Sequence, residues 1–481
     1  MTRNFLMNPM TYMFWDTETI GLDRAFHVPV EIGAVVTDHG LRPLRETSLS
    51  CRPPSSLLAD PGALITTGRG WAEVQNRTLS SYAAICQFAS VVEAASPTCF
   101  VSYNGIRFDD PLIQHSFFRH LHDPYLMMKA GNCRLDLLNV LRFAHAIGCG
   151  FPAVPVTDAG LPVFKLDRLE PLNGFEEPGA HSALVDARAV RHLAGGLAEG
   201  APEVWHRAST LWSQKHALRQ LLSDNGVVLA FDWNGPHGVP IFKALMPIGF
   251  GRGYAGECVC VDLAFDPETY SALSPQELTD HITVGSKPRP ICPVRLNASP
   301  IVLSVHDELA KGHVPIDAGV LAQRVARLLS DTGLRERILD AANVRRTSFP
   351  VPPMVEQQLY SGGFISDYDA MVACRFHQAP PEKKCGVLAT FTDARLRYFG
   401  ERIIYEEWPD LLDDQTRIRI AEQVRTRHLA DARAPWTTIA SALRNIEKLL
   451  PVADDCTRQI LIEYRVYLIG LYPNPITEAA A

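Results

Sequence analysis

The sequence predicts an α/β layer with a mixed sheet, then a small β-rich unit, then a helical final third. Three textures of the 481-residue chain carry that expectation. Residues 1–200 alternate strand-like and helix-like segments. Residues 201–350 break into short apolar runs punctuated by Gly and Pro, which suits a small barrel-like unit. Residues 351–481 are dominated by helical periodicity. A chain this long exceeds one ordinary core and implies roughly two to four domains.

The elements follow in order. Tyr12 to Trp15 and Val28 to Val36 are rich in β-branched and aromatic residues, with Gly21 and Asp38-His39-Gly40 as turn signals. Thr98 to Tyr103 is a further strand ending at Asn104-Gly105. Helical periodicity runs through Pro111 to Leu121 and Leu135 to Ile147, the latter presenting Leu137, Leu138, Leu141, Ala144 and Ala146 on one face. Another helix follows Ser182. A helical lead-in, Val204 to Leu222, precedes apolar runs at Val227 to Phe231, Ile241 to Met246, Cys258 to Leu263 and Ile301 to Val305. Helices return from Ala318 to Ala342. The segment Phe349-Pro350-Val351-Pro352-Pro353 cannot continue a helix and reads as a linker. From Val355 to Leu471 helical patterns prevail.

The bulk numbers exclude several classes. The chain is 47% hydrophobic and 21% charged, and has no run of the roughly 20 apolar residues that spans a bilayer. It has no apolar block of signal-peptide length at its start, and its eleven cysteines suit a reducing cytoplasm. Cys258 and Cys260 read as buried strand residues; with no CxxC in the chain, structural zinc is not expected. A net charge of −7 argues against a broadly basic nucleic-acid coat, but carboxylates committed to metal ions would count as negative here. The arginines from Arg324 to Arg346 are interrupted by acids and read as a solvated face.

Four acids and one histidine carry the chemistry. Asp16 and Glu18, two apart on the first strand, present both carboxylates from one face, with Trp15 and Thr17 turned the other way. Neighbouring carboxylates repel unless a cation lies between them, and oxygen-only ligands suit Mg²⁺ or Mn²⁺. Asp109 stands where a helix begins. Capping and metal binding are compatible there, with Asp110 as the cap before Pro111 and Asp109 facing the metals. His181 and Asp186 would lie about 140° apart on one continuous helix. Pro178-Gly179-Ala180 instead keeps His181 in a loop, with Ser182 as cap and Asp186 one turn into the helix.

These motifs resemble those of the DEDDh 3′→5′ exonucleases, in Asp16-Thr17-Glu18-Thr19, in Tyr103-Asn104 to Asp109, and in His181 to Asp186. Tyr103-Asn104-Gly105-Ile106-Arg107-Phe108-Asp109-Asp110, Asp123-Pro124-Tyr125, Leu161 to Leu166, Asn173-Gly174 and Gln358 to Phe364 are similar, more narrowly, to bacterial exonuclease I. The resemblance implies a ribonuclease H-like exonuclease domain over residues 1–200. It further implies an SH3-like β-rich domain over 201–350 and a helical C-terminal domain over 351–481. It implies hydrolysis of single-stranded DNA from the 3′ end to 5′-mononucleotides, in DNA repair or recombination.

Asp16, Glu18, Asp109 and Asp186 would hold two Mg²⁺ ions, with Mn²⁺ a possible substitute, and His181 would take the proton of the attacking water. Glu18, Asn104, Arg107, Tyr125, Arg142 and Lys165 are the candidate substrate contacts. Arg142 reads equally as a solvated helix face, and Tyr125 as a core residue. Thr17 and Lys165 depart from the Tyr and Arg expected of exonuclease I, and lysine lacks arginine's bidentate fork. The expected partners are single-stranded DNA and the acidic tail of single-stranded-DNA-binding protein, with no membrane, a monomeric state and a cytoplasmic location. The competing readings are a DEDDh exonuclease acting on RNA 3′ ends or in proofreading, and a catalytically silent DNA-binding scaffold.

Overall fold

The computed structural model describes residues 11–129, 131–179, 181–210, 218, 221–222, 226–234, 238–250, 256–282, 289–344 and 351–472. A six-stranded sheet comprises β1 (Thr11–Thr19), β2 (Pro29–Asp38), β3 (Pro43–Arg52), β4 (Leu79–Ser80), β5 (Cys99–Ser102) and β6 (Cys133–Asp136), in spatial order β4-β3-β2-β1-β5-β6. β1 is antiparallel to β2 and parallel to β5. Strands β1 and β2 are buried almost throughout because helices cover both faces of the sheet, although β1 turns polar from Asp16 onward.

On one face, Met13 and Trp15 pack with Phe88 of α1 (Ser81–Ala95) and with Ile113 and Phe117 of α2 (Asp109–Arg119). On the other, Tyr12 and Phe14 pack with α3 (Leu137–Ala146) and with the buried stripe Ala187, Val190, Leu193, Ala194 and Leu197 of α5 (Ala183–Gly200). The short α4 (Leu166–Leu169) contributes Leu169 to the same core.

A second, five-stranded antiparallel sheet holds β7 (Val228–Asn234), β8 (Val239–Phe250), β9 (Glu257–Asp262), β10 (Ile291–Arg295) and β11 (Ile301–Ser304), in the order β10-β9-β8-β7-β11. Cys258 and Cys260 are buried in β9, as their apolar setting suggests. The helices α6 (Ala318–Ser330) and α7 (Thr332–Val344) pack on this sheet through Leu328, Leu334 and Ile338. The C-terminal segment is helical: α8 (Asp367–Gln378), α9 (Ala394–Glu407), α10 (Asp414–His428), α11 (Ile439–Leu449) and α12 (Asp455–Leu471). It closes on the nuclease layer at two places. Ile446, Leu461 and Tyr464 bury Ile20, Val28 and Trp71, while Phe376, Leu396 and Phe399 bury Phe118 and Leu121.

Several local expectations are amended. The segment from Leu135 is first strand and then helix, and Asp136 makes the turn by accepting from the Leu138 N–H. Strand β3 was not foreseen, because Pro43–Arg52 is polar and mostly exposed near the sheet edge. Of the anticipated lead-in, Pro202–Thr210 is helical, and residues 211–217 lie outside the described residues, as do Phe349 and Pro350 of the linker. No described helix is long and apolar enough to cross a membrane.

Candidate active site

The site forms at the carboxyl ends of the parallel strands β1 and β5, the side of an α/β sheet where loops leave the layer free to receive a ligand. Alternation along β1 sends Trp15 into the α1/α2 face and leaves Asp16 and Glu18 on the α5 face. Across the ladder Asp16 pairs with Gly33 of β2. A Cβ at Gly33 would lie 2.1 Å from the backbone carbon of Ala183 and 2.2 Å from the Leu184 nitrogen. The missing side chain therefore admits the first turn of α5 against the sheet, which brings Asp186 over β1.

Ligand atoms of Glu18, His181 and Asp186 all lie within 4.8 Å of one another. His181 is exposed and holds a left-handed backbone, φ 66°, just after Gly179 at φ 112°. That turn lets the chain double back before α5, and the His181 backbone N–H bonds the Asp186 carboxylate. Ser182 occupies the N-cap position but makes no side-chain cap bond.

Asp109 arrives from the other side. Gly105 lets the β5–α2 turn close tightly, since a Cβ there would meet Ser102 Oγ at 2.4 Å. Asp109 opens α2, is buried, and accepts a short hydrogen bond from Thr17 Oγ1. Thr17 does turn away from Asp16, yet it reaches an acid of the same cluster, because Asp109 opens α2, the helix that covers the face to which Thr17 points. Asp110 is not the helix cap: the N-cap residue is Phe108, with no side-chain cap bond, and buried Asp110 pairs with Arg134. An arginine within reach outcompetes the local backbone for the carboxylate.

The electrostatics follow from crowding. Burial pushes the Asp16 carboxyl well above the ordinary range, and Asp109, Asp186 and Glu18 push it further. Glu18 rises to about 8, from burial first and then Asp186, Glu31 and Asp109, with Arg69 opposing. Asp109 rises to about 7 through burial, partly offset by the Thr17 bond, and Asp186 to about 6 through burial, offset by His181. Glu18 and Asp186 lie within ligand reach of each other, Asp16 and Asp109 act on them as charged neighbours, and such a cluster of carboxylate oxygens suits a hard divalent cation.

The proposed strand contacts divide into two groups. Arg142 is half-buried, its guanidinium 5.7 Å from the centroids of both Phe164 and Trp233, so it is not a plainly solvated face. Lys165 is exposed beside Phe164, whose carbonyl accepts from Tyr103 Oη at 2.8 Å. Asn104 is exposed at φ 62°, its N–H held by Asp136 Oδ1 at 2.9 Å. Arg107 is exposed in the turn before Asp109, and its carbonyl accepts from Arg24. Tyr125 lies elsewhere, half-buried and edge-on to Phe364 at 5.9 Å.

Sequence reasoning missed three residues beside these. Gly33 is the first, and a glycine inside a strand pattern is itself a signal of close backbone approach. Glu31, opposite Glu18 in the ladder, is held by Arg77 at 2.7 Å and Arg69 at 3.5 Å. Glu170 is buried just past α4, with Oε2 unpartnered among the described residues, and is pushed up to about 7 by burial, Asp186 and Asp167.

Comparison with known proteins agrees with this geometry. The exonuclease family model matches residues 13–193, and the exonuclease I C-terminal domain model matches residues 353–469. Exodeoxyribonuclease I of Escherichia coli (strain K12) is 25% identical over 427 residues, covering 86% of this chain and 89% of that protein. Two solved structures share the fold. One is E. coli exonuclease I in complex with a dA16 oligonucleotide, with a TM-score of 0.82 at 23% identity over 96% of this chain and 100% of that one. The other is SSB/exonuclease I in complex with the inhibitor CFAM, with a TM-score of 0.81 at 22% identity over 96% of this chain and 100% of that one. The chain thus carries an exonuclease domain and an exonuclease I C-terminal domain, on the fold of the solved exonuclease I structures: a ribonuclease H-like layer with a helical C-terminal domain.

Proposed function

We propose that this protein is a 3′→5′ exodeoxyribonuclease that degrades single-stranded DNA to 5′-mononucleotides in DNA repair or recombination. One observation carries the reading: acids from three distant chain segments meet at the end of β1 beneath a histidine on a left-handed turn. Asp16, Glu18, Asp109 and Asp186 would hold two Mg²⁺ ions, or Mn²⁺ in their place. When bound, such ions activate water and stabilise charge on the scissile phosphate. His181, exposed beside Glu18 and Asp186, accepts the water proton. Lys165 and Asn104 offer a cation and an amide to the phosphates, while Arg142 among Phe164 and Trp233 offers a stacking platform. Arg107 and Glu18 would be further contacts to the strand, and Tyr125, edge-on to Phe364, would offer a separate aromatic contact away from that platform.

The units would be an exonuclease domain over residues 1–200, an SH3-like domain over 201–350 and a helical domain over 351–481, in a monomeric cytoplasmic enzyme. By its kinship with a protein solved as an SSB complex, the enzyme would take single-stranded-DNA-binding protein as partner. An RNA-trimming or proofreading role is the weaker reading, because the match to exonuclease I continues through residues 353–469.

Time-resolved product analysis tests the proposal, using 5′-labelled and 3′-labelled single strands with duplex DNA and RNA as controls. The expected result is a shortening ladder from the 5′ label and immediate mononucleotide from the 3′ label. RNA cleaved as fast as DNA, or label lost first from the 5′ end, would overturn it.

A further inference from the structure

We propose that Cys86, His122 and His377 form a second metal site, for a borderline-soft divalent cation of the Zn²⁺ class, at the seam between the nuclease layer and the C-terminal helices. This does not depend on the nuclease reading. Cys86 lies on α1, His122 just beyond α2, and His377 near the end of α8. Their ligand atoms lie within 4.8 Å of one another, and all three residues are half-buried.

The distances suit coordination. His122 Nε2 is 3.4 Å from Cys86 Sγ, and His377 Nδ1 is 3.7 Å from it. Zinc bonds of about 2.3 Å to sulfur and 2.0–2.1 Å to nitrogen, at a tetrahedral angle, separate those atoms by about 3.6 Å.

The tautomer is also arranged. His377 Nε2 lies 3.2 Å from the Leu121 carbonyl, which only accepts, so Nε2 carries the hydrogen and Nδ1 turns its lone pair toward Cys86. A metal-bound histidine is commonly oriented by this kind of backbone bond. The Tyr82 hydroxyl stands 3.1 Å from the same Nδ1 and beside the Cys86 thiol, placed to donate to a thiolate once the nitrogen is engaged. A cavity of about 560 Å³ bordered by His122 and His377 gives entry and room for water as fourth ligand. The two imidazoles stack with centroids 4.1 Å apart and planes at 14°. Parallel rings cannot aim both lone pairs at one point, so coordination requires one ring to turn out of the stack. Binding converts the thiol to a thiolate and releases its proton to solvent.

The sulfur sets this site apart from the all-oxygen cluster at β1. Residues so far apart in sequence show no zinc spacing, which is why the sequence, with no CxxC, led to the opposite expectation. A cation here would clasp α1, the end of α2 and α8 together.

Titration of the reduced full-length protein with Co²⁺ tests the site. The expected result is a thiolate-to-cobalt charge-transfer absorption that corresponds to one cobalt per chain, apart from any cobalt held by the carboxylates at β1, displaced by Zn²⁺ and retained in Asp186→Asn. Cys86→Ser loses the absorption while keeping its circular dichroism and nuclease activity. His377→Gln and His122→Gln each weaken binding by more than the roughly 10–100-fold typical of outer partners. Absence of the absorption in the parent, or its survival in Cys86→Ser, would overturn the proposal. Should Cys86→Ser misfold, unchanged cobalt affinity in both histidine variants overturns it equally.

Discussion

Gly33→Ala is the sharpest probe of how the site is built. The added methyl falls 2.1 Å from the Ala183 backbone carbon, whereas ordinary contact begins near 3.4 Å. The obstructing atoms belong to the helix backbone, so no side-chain rotation relieves them, and the start of α5 must retreat from β2 by roughly 1 Å. Asp186 and His181 ride on that segment, whereas Asp16 and Glu18 stay with β1. A displacement of about 1 Å in a catalytic constellation costs on the order of a hundredfold in rate, and the overpacking costs about 1–3 kcal/mol of stability. Steady-state degradation of a 5′-labelled oligonucleotide should show turnover down about a hundredfold, with a higher Mg²⁺ requirement. Thermal melts would establish that the variant is folded at the assay temperature. Gly40→Ala is the control, because Gly40 is exposed in a turn and the nearest atom to its Cβ is Asp38 Oδ1 at 3.4 Å. Turnover of Gly33→Ala within twofold of the parent would refute the close-approach argument.

Further expectations follow from the same geometry. His181→Ala should slow cleavage by roughly two to four orders of magnitude while leaving DNA affinity intact, as single-turnover and binding assays would show; parental rates would remove its assigned role. In EDTA, stability should fall as pH rises from about 4.5 toward about 8. The raised Glu18, Asp109 and Asp186 carboxyls keep the folded state more protonated than the unfolded state across that window. The loss is on the order of a few kcal/mol, and Mg²⁺ should flatten the slope; a metal-free melting temperature that rises over this range would contradict the crowding. Glu18→Gln should raise metal-free stability at pH 8 while abolishing turnover, and a variant less stable than the parent in EDTA would count against repulsion. Lys165→Ala should weaken single-strand binding and reduce the salt slope of affinity by about 1, and an unchanged slope would take Lys165 off the phosphate path.

The acids were legible in the sequence because each belongs to a short motif whose meaning survives out of context: alternation on a strand, a turn before a helix, a proline–glycine break. What joins them was not. Gly33 acts on Ala183 across 150 positions, and only the fold brings them into contact. The Asp110–Arg134 pair likewise replaced the helix cap that local rules favour. Strand β3 escaped because its register is set by β2 rather than by its own polar residues. The apolar runs that became β7, β8, β9 and β11 were readable because their burial is written in Val, Leu and Cys at strand spacing.

The central claim is that these carboxylates converge to hold divalent cations, and anomalous diffraction from crystals grown with Mn²⁺ tests it most directly. The account predicts manganese peaks ringed by Asp16, Glu18 and Asp186, with Asp109 facing them, and none there in an Asp16→Asn, Asp186→Asn double variant. An acid cluster without manganese in crystals of the active enzyme would contradict it.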